Sequence, residues 1–274
     1  MSISADSPVG VFDSGLGGLT VVREVVTELP DERVVYLGDT ARVPYGTRSA
    51  STVVRYARRC AEHLTACGVK YLVVACNTVS AVALDMLRVE LDIPVLGVIE
   101  PGARAGLRAT QSGRIGVIAT SGTVQSGAYE RAVRAGDSRA EVFVQAAPLL
   151  VPLVEEGWVE GEVPALAVQR YLEPLVHQGI DALILGCTHY PVLRKCIRTQ
   201  LDVMGADQVA IVDSAAAAAK ELAASLSDRG LRATEPLDNK LRIMVTDTPG
   251  TFQLAASRFL GSGAEELCVE GVDL

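Results

Sequence analysis

The sequence has few aromatic residues, and it lacks long apolar runs and clusters of basic residues. Only 4% of its 274 residues are aromatic although 49% are hydrophobic, so we expect a core of Val, Leu, Ile and Ala, as buried parallel strands have. No apolar run approaches the roughly 18 residues of a membrane span. The net charge of −8 comes without the basic patch that neutralises phosphates. We therefore expect neither a membrane nor a nucleic acid as partner.

The sequence also lacks the signals of export and of the commoner cofactors. Residues 1–8 contain no basic segment followed by an apolar one, so we expect no signal peptide and a cytoplasmic location. In that compartment the six cysteines are expected to be thiols, and none stands in a C-x-x-C pair, which weakens a structural zinc site. A pyridoxal enzyme needs a Schiff-base lysine, and no site motif surrounds any of the four lysines, Lys70, Lys195, Lys220 and Lys240.

Strand and helix patterns alternate along the chain. Short apolar runs at residues 9–12, 33–37 and 93–99 are each separated by helical patterns, which predicts an α/β fold with doubly wound parallel sheets. After Pro101-Gly102 the plan restarts, and residues 114–120 and 140–145 repeat the first two strands. We interpret this as an internal duplication that produces two α/β units with a cleft between them.

One stretch occurs twice and supports the duplication. Residues 68–78 and 179–190 each contain a Gly, a short apolar run, a small residue, a Cys and then polar residues. Cys76 and Cys187 are 111 positions apart, as are the two glycines. Each cysteine is thus predicted at the carboxyl end of a strand, where open α/β sheets place their ligands.

The two repeated cysteines are the leading candidates for chemistry. A thiol with a pKa of about 8.5 can serve as acid and as base near neutral pH. His189 could assist Cys187 or be an ordinary hydrogen-bonded histidine, and a metal held by Cys76, Cys187 and His189 is the weaker alternative. The other four cysteines are expected to be small hydrophobic residues without a role in the site: Cys60, Cys67, Cys196 and Cys268.

Residues 13–18, Asp-Ser-Gly-Leu-Gly-Gly, stand at a predicted strand-to-helix turn. Free N–H groups at a helix start favour an anion such as a carboxylate. The stretch is neither a P-loop nor a G-x-G-x-x-G fingerprint, which disfavours a nucleotide. A tight turn without a ligand is the alternative. Asp13 either caps its own helix or faces the cleft, because a carboxylate after an apolar strand is costly unless it is paired or exposed.

Two thiols on opposite sides of a cleft suit racemisation, which removes a proton from one face of a carbon and returns one to the other. Several separated motifs resemble those of the cofactor-independent glutamate racemase family over nearly the whole chain. They are Asp13-Ser-Gly-Leu-Gly-Gly18, Gly38-Asp-Thr40, Pro44-Tyr-Gly46, Ala75-Cys-Asn-Thr78, Ala119-Thr120 with Gly122-Thr123, Val151-Pro-Leu-Val-Glu155 and Leu185-Gly-Cys-Thr-His-Tyr190.

The resemblance implies interconversion of L- and D-glutamate without cofactor or metal, supplying D-glutamate for peptidoglycan, by a homodimer. It implies that Cys76, assisted by Asp13, works on the D enantiomer, and that Cys187, assisted by Glu155 and His189, works on the L enantiomer. It further implies two domains, residues 1–99 with 209–274 and residues 100–208. The residues expected to bind substrate are Asp13, Ser14, Pro44, Tyr45, Gly46, Asn77, Thr78, Thr120, Thr123, Thr188 and His189.

Three rival interpretations stay open at this stage. An aspartate racemase has the same fold and also uses two cysteines. The residues alone do not indicate how long a substrate side chain the site accepts. A non-catalytic module that closes on an acidic ligand explains the glycine turn and the cleft but not two matched thiols. A one-thiol decarboxylase or lyase is weaker, because both cysteines are present.

Overall fold

The computed structural model describes residues 4–233, 240–261 and 268–274, which contain ten β-strands and twelve α-helices. In chain order, β1 to β10 are Val9–Asp13, Val34–Gly38, Tyr71–Val74, Val95–Gly97, Arg114–Ala119, Glu141–Ala146, Ala182–Gly186, Ala210–Asp213, Leu241–Val245 and Val269–Gly271. Helices α1 to α12 are Leu19–Glu28, Ala50–Ala66, Asn77–Val82, Leu84–Glu90, Ile99–Ala109, Ser121–Ser126, Ala128–Gly136, Leu150–Glu155, Glu162–His177, Arg194–Val203, Ser214–Asp228 and Pro249–Leu260. None of these described helices is both long and apolar enough to cross a membrane.

The strands form two sheets in which all described pairings are parallel. The strand orders are β10-β9-β2-β1-β3-β4 and β6-β5-β7-β8. The order β2-β1-β3-β4 in the first sheet therefore recurs in the second, with β5 and β7 in the places of β1 and β3. The predicted α/β class, with two pseudo-symmetric and doubly wound parallel sheets, is confirmed.

Apart from Asp13 at the end of β1, the central strands carry no charged residue, because helices cover both of their faces. All residues of β1, β2, β3 and β7 are buried. Alternate residues of β1 enter different cores, with Val9 and Val11 in one cluster and Phe12 in another. The first of these clusters also contains Leu183 and Leu185 of β7, so one continuous core runs through both units.

The second sheet begins after Pro101-Gly102, at β5, as predicted, and both residues lie inside helix α5. Pro101 is the third residue of that helix. A proline is tolerated there, since the first-turn N–H groups have no intrahelical partner. Helix α5 therefore lies between the last strand of the first repeat, β4, and the first strand of the second, β5.

Strand β8 belongs to the second sheet, where it pairs with β7. The family resemblance implied that all residues from 209 onward belong to the first domain, and this boundary falls one strand too early. Strands β9 and β10 do return to the first sheet, next to β2. Residues 234–239 and 262–267, which the same prediction placed in the first domain, lie outside the described residues.

Candidate active site

Cys76 and Cys187 follow corresponding strands of the two sheets. Cys76 stands two residues after β3 and directly before α3, and Cys187 directly follows β7. Their side chains are only 6% and 7% exposed, and both line one cavity of about 270 Å³. Because residues from both sheets line this cavity, the duplication brings the two thiols into a single site.

Most of the residues predicted for the site line this cavity. From the first unit these are Ser14, Pro44, Tyr45, Gly46, Cys76, Asn77 and Thr78. From the second unit they are Thr120, Glu155, Cys187, Thr188 and His189. Several residues that line the cavity were not predicted from the sequence: Gly15, Val43, Thr47, Ser121, Pro148, Val151 and Pro152. Only their closeness in the chain to the predicted motifs could have indicated them.

Asp13 lies behind the cavity wall. It is the last residue of β1 and is buried, and its Oδ2 accepts a hydrogen bond from the Gly15 N–H over 3.0 Å. Its other oxygen, Oδ1, is buried without a hydrogen-bond partner among the described residues. Burial raises the pKa of Asp13, opposed by the charge of His189. With its pKa raised, this carboxyl group can accept and release a proton more readily near neutral pH than an exposed aspartate can.

The glycine turn after Asp13 has a packing reason. A Cβ on Gly17 would lie 2.2 Å from Oγ1 of Thr188 and 2.5 Å from Nδ1 of His189. The Thr20 hydroxyl, one turn later, donates to the carbonyl of Thr188 over 2.9 Å. The turn of the first unit therefore needs glycine so that the second cysteine loop can pack against it.

A chain of polar contacts runs from Cys187 to Glu155. The Cys187 sulfur lies 3.9 Å from Nδ1 of His189, and Nε2 of the same ring lies 3.0 Å from Oε1 of Glu155. Burial alone would lower the pKa of His189, but its hydrogen bonds with Cys187 and Glu155 outweigh burial and raise that pKa to about 10. A protonated His189 places a positive charge beside the Cys187 sulfur.

The raised pKa of His189 makes stability depend on pH. The folded-state pKa of about 10 exceeds the ordinary value of 6.5, so this contribution to stability is complete below about pH 6.5 and is lost as the pH rises through 10. We expect the melting temperature to fall over this range more steeply in the unmodified protein than in His189→Gln. The control is His177→Gln, at an exposed position, which should follow the unmodified protein. Equal slopes in all three proteins would contradict this assignment.

Cys76 has a different environment. Its sulfur lies 3.7 Å from the Ser14 hydroxyl. Burial, and next the charge of Asp13, raise the pKa of Cys76 to about 12. A thiol form is therefore favoured at Cys76, whereas the sulfur of Cys187 lies beside the imidazole of His189. The described residues contain no group of three or more His, Cys, Asp and Glu side chains arranged to hold a metal ion.

Three threonine hydroxyls join the two units beside the cavity. Thr78 Oγ1 lies 3.0 Å from Thr120 Oγ1 and 3.3 Å from Thr123 Oγ1, and the last two are 3.1 Å apart. Thr78 and Thr120 line the cavity, whereas Thr123 is buried behind them. Thr123 thus orients the two hydroxyls that reach the cavity.

The hydroxyl group of Tyr45 is bound within the protein and is not available to a ligand. The hydroxyl donates to the buried carboxylate of Asp39, which also accepts from Arg42 Nε and Thr246 Oγ1, each over 2.9 Å. The backbone of Tyr45 is therefore the part that can face a ligand. Asp39 stands in the Gly38-Asp-Thr40 motif, but no pattern in the sequence connects it with Tyr45.

Comparison with known proteins identifies the family. The family described as Asp/Glu/Hydantoin racemase matches residues 9–222. The chain belongs to this racemase family. A glutamate racemase of Neisseria meningitidis is 46% identical to it over 267 residues, covering 97% of each chain.

Solved structures agree with this assignment. A glutamate racemase isoform from Bacillus anthracis superposes with a TM-score of 0.92 at 42% identity, covering 98% of each chain. The Francisella tularensis glutamate racemase, solved in complex with D-glutamate, gives 0.88 at 37% identity and also covers 98% of each chain. The resemblance predicted from the motifs is confirmed, and this racemase-family chain is an isomerase.

Proposed function

We propose that the protein interconverts L- and D-glutamate without a cofactor, using Cys76 and Cys187 as its two acid–base groups. One observation carries the proposal: two buried thiols at matching strand ends of two sheets line the same cavity. Racemisation requires one proton-transfer group on each face of Cα, and a duplicated fold supplies two such groups. Family membership favours this enzyme over a module that only binds an acidic ligand.

Because the two thiols have different surroundings, each is assigned to one enantiomer of glutamate. From L-glutamate, the Cys187 thiolate removes the Cα proton and becomes a thiol, leaving a carbanion. The Cys76 thiol then gives its proton to the opposite face and becomes a thiolate, producing D-glutamate. The reverse reaction starts from the opposite protonation states. Asp13 supports Cys76, and His189 with Glu155 supports Cys187.

The carbanion is the costly species, because an amino-acid α-proton is far less acidic than a thiol. Hydroxyl and amide groups of Ser14, Asn77, Thr78, Thr120 and Thr188 line the cavity. Donors that are already in place and largely shielded from water stabilise charge developing on the α-carboxylate. The volume of about 270 Å³ suits a small amino acid rather than a larger metabolite.

Glutamate is proposed over aspartate because the glutamate racemases of N. meningitidis, B. anthracis and F. tularensis align with at least 97% of the chain. An aspartate racemase is the alternative within the family. Several other features go with this proposal and remain predictions. They are a role in supplying D-glutamate for peptidoglycan, a cytoplasmic location, a homodimeric state, the absence of a cofactor and the division into two domains.

The test is racemisation in heavy water with no added cofactor or metal. Circular dichroism should show L-glutamate losing its optical activity, and NMR should show deuterium at Cα of the product, because the thiols exchange protons with solvent. Aspartate run in parallel decides between the two substrates. Binding of glutamate without exchange at Cα would reject an enzyme, and inversion without deuterium uptake would reject proton transfer through solvent-exchangeable thiols.

A further inference from the structure

Tyr129 touches the candidate active site from outside its wall. This residue of α7 is 2% exposed, and its hydroxyl donates to Oδ1 of Asn77 over 2.7 Å. Asn77 directly follows Cys76 and lines the cavity. A buried phenol of the second unit therefore contacts a cavity residue of the first unit.

The polar contacts continue from Tyr129 to the other cysteine strand. The Tyr129 oxygen lies 3.3 Å from Oγ of Ser214, and the Ser214 hydroxyl donates to the carbonyl of Leu185. Leu185 lies in β7, two residues before Cys187. A buried series of polar contacts thus connects the residue after Cys76 with the strand that carries Cys187.

The tyrosine ring is held closely by its surroundings. A Cβ on Gly186 would lie 2.9 Å from Cε2 of Tyr129, and a Cβ on Gly102 would lie 3.5 Å from its hydroxyl oxygen. Burial raises the pKa of Tyr129, so the phenol keeps its proton and stays a donor. The hydroxyl therefore has a fixed position, and the amide of Asn77 must turn its acceptor oxygen toward it.

A primary amide has an acceptor at one end and two donors at the other. Because Oδ1 of Asn77 is taken by the Tyr129 hydroxyl, the NH₂ group is left for the cavity. We propose that Tyr129 is a positioning residue that holds Asn77 with its NH₂ group toward the substrate, so that Asn77 binds a substrate carboxylate and not the ammonium. This inference rests on the proposed function.

Tyr129→Phe keeps the ring and removes only the hydroxyl. We expect kcat/KM for glutamate to fall about tenfold, the effect of losing one oriented hydrogen bond to a charged group. The loss should appear mainly as a higher KM, because the carboxylate is already charged in bound substrate, and it should be equal in both directions because the equilibrium constant is unchanged. The matched control is Tyr71→Phe, another buried tyrosine, whose hydroxyl lies 3.0 Å from Ser225 Oγ. The Tyr71→Phe variant should have the same kcat and KM as the unmodified protein.

Two Asn77 variants separate positioning from a merely structural role. In an Asn77→Ala background, Tyr129→Phe should have no further effect on KM, since no amide is left to orient. With Tyr129 intact, Asn77→Asp should raise KM strongly, because an anionic acceptor would then face the carboxylate. An unchanged KM in Tyr129→Phe, a full additional effect without Asn77, or an active Asn77→Asp would each overturn the proposal. Failure of the unmodified protein to racemise glutamate would instead reject the proposed function.

Discussion

Replacing either Cys76 or Cys187 with alanine should reduce racemisation by at least about a thousandfold, because one face of Cα then has no proton-transfer group. The remaining thiol should still exchange the Cα proton of one enantiomer in heavy water without inverting it. Cys187→Ala should label D-glutamate only, through Cys76, and Cys76→Ala should label L-glutamate only. NMR of each enantiomer, with chiral separation afterwards, measures exchange and inversion separately.

The remaining cysteines provide the control for this prediction. Cys196 is half-buried in α10 and does not line the cavity, so Cys196→Ala should racemise glutamate at the unmodified rate. Full activity in either of the first two variants would reject the two-thiol mechanism. Labelling of the opposite enantiomer by each variant would keep two thiols but reverse their assignment to the faces of Cα.

Asp13→Asn should lower activity about a hundredfold while making the protein more stable at neutral pH. Asp13 lies near enough for its charge to raise the pKa of Cys76, and burial raises the pKa of Asp13 itself. The two groups can therefore share a proton, which an amide cannot do. We expect the loss in both directions, measured as initial rates by circular dichroism.

The stability gain follows from the direction of the same pKa shift. A raised folded-state pKa gives a contribution to stability that is complete below the ordinary value of 3.8 and is lost as the pH rises through the folded-state pKa. A rise in pH above the ordinary value therefore lowers the stability of the unmodified protein but not that of Asp13→Asn, so Asp13→Asn should be the more stable at neutral pH. Its advantage in melting temperature should shrink as the pH approaches 4.

A second aspartate at a strand end is the matched control. Asp213 ends β8, its Oδ1 accepts from the Ala215 N–H over 2.8 Å, and burial raises its pKa too. It does not line the cavity, so Asp213→Asn should show the gain in stability without the loss of activity. Equal loss of activity in both variants would mean that Asp13 acts only through the fold.

Much of the fold was accessible from the sequence, because it depends on local patterns. Apolar runs of strand length alternated with helical segments, and the repeat of Gly68 to Cys76 at Gly179 to Cys187 indicated a duplication. The return of the chain to the first domain was implied only by the family resemblance, because no local pattern shows which sheet a strand joins. That return was placed one strand too early, since β8 pairs with β7.

The sequence by itself determined the two cysteines, their strand-end positions and the polar residues beside them, because these follow from strand length and chain order. Only the tertiary structure decided which groups meet. Glu155 reaches His189 across 34 positions of the chain, and Tyr129 reaches Asn77 across 52. Such contacts depend on how two separately recognisable units pack together. The sequence already placed His189 beside Cys187, but only the packing brought Glu155 to His189 and so completed the difference between the two thiols.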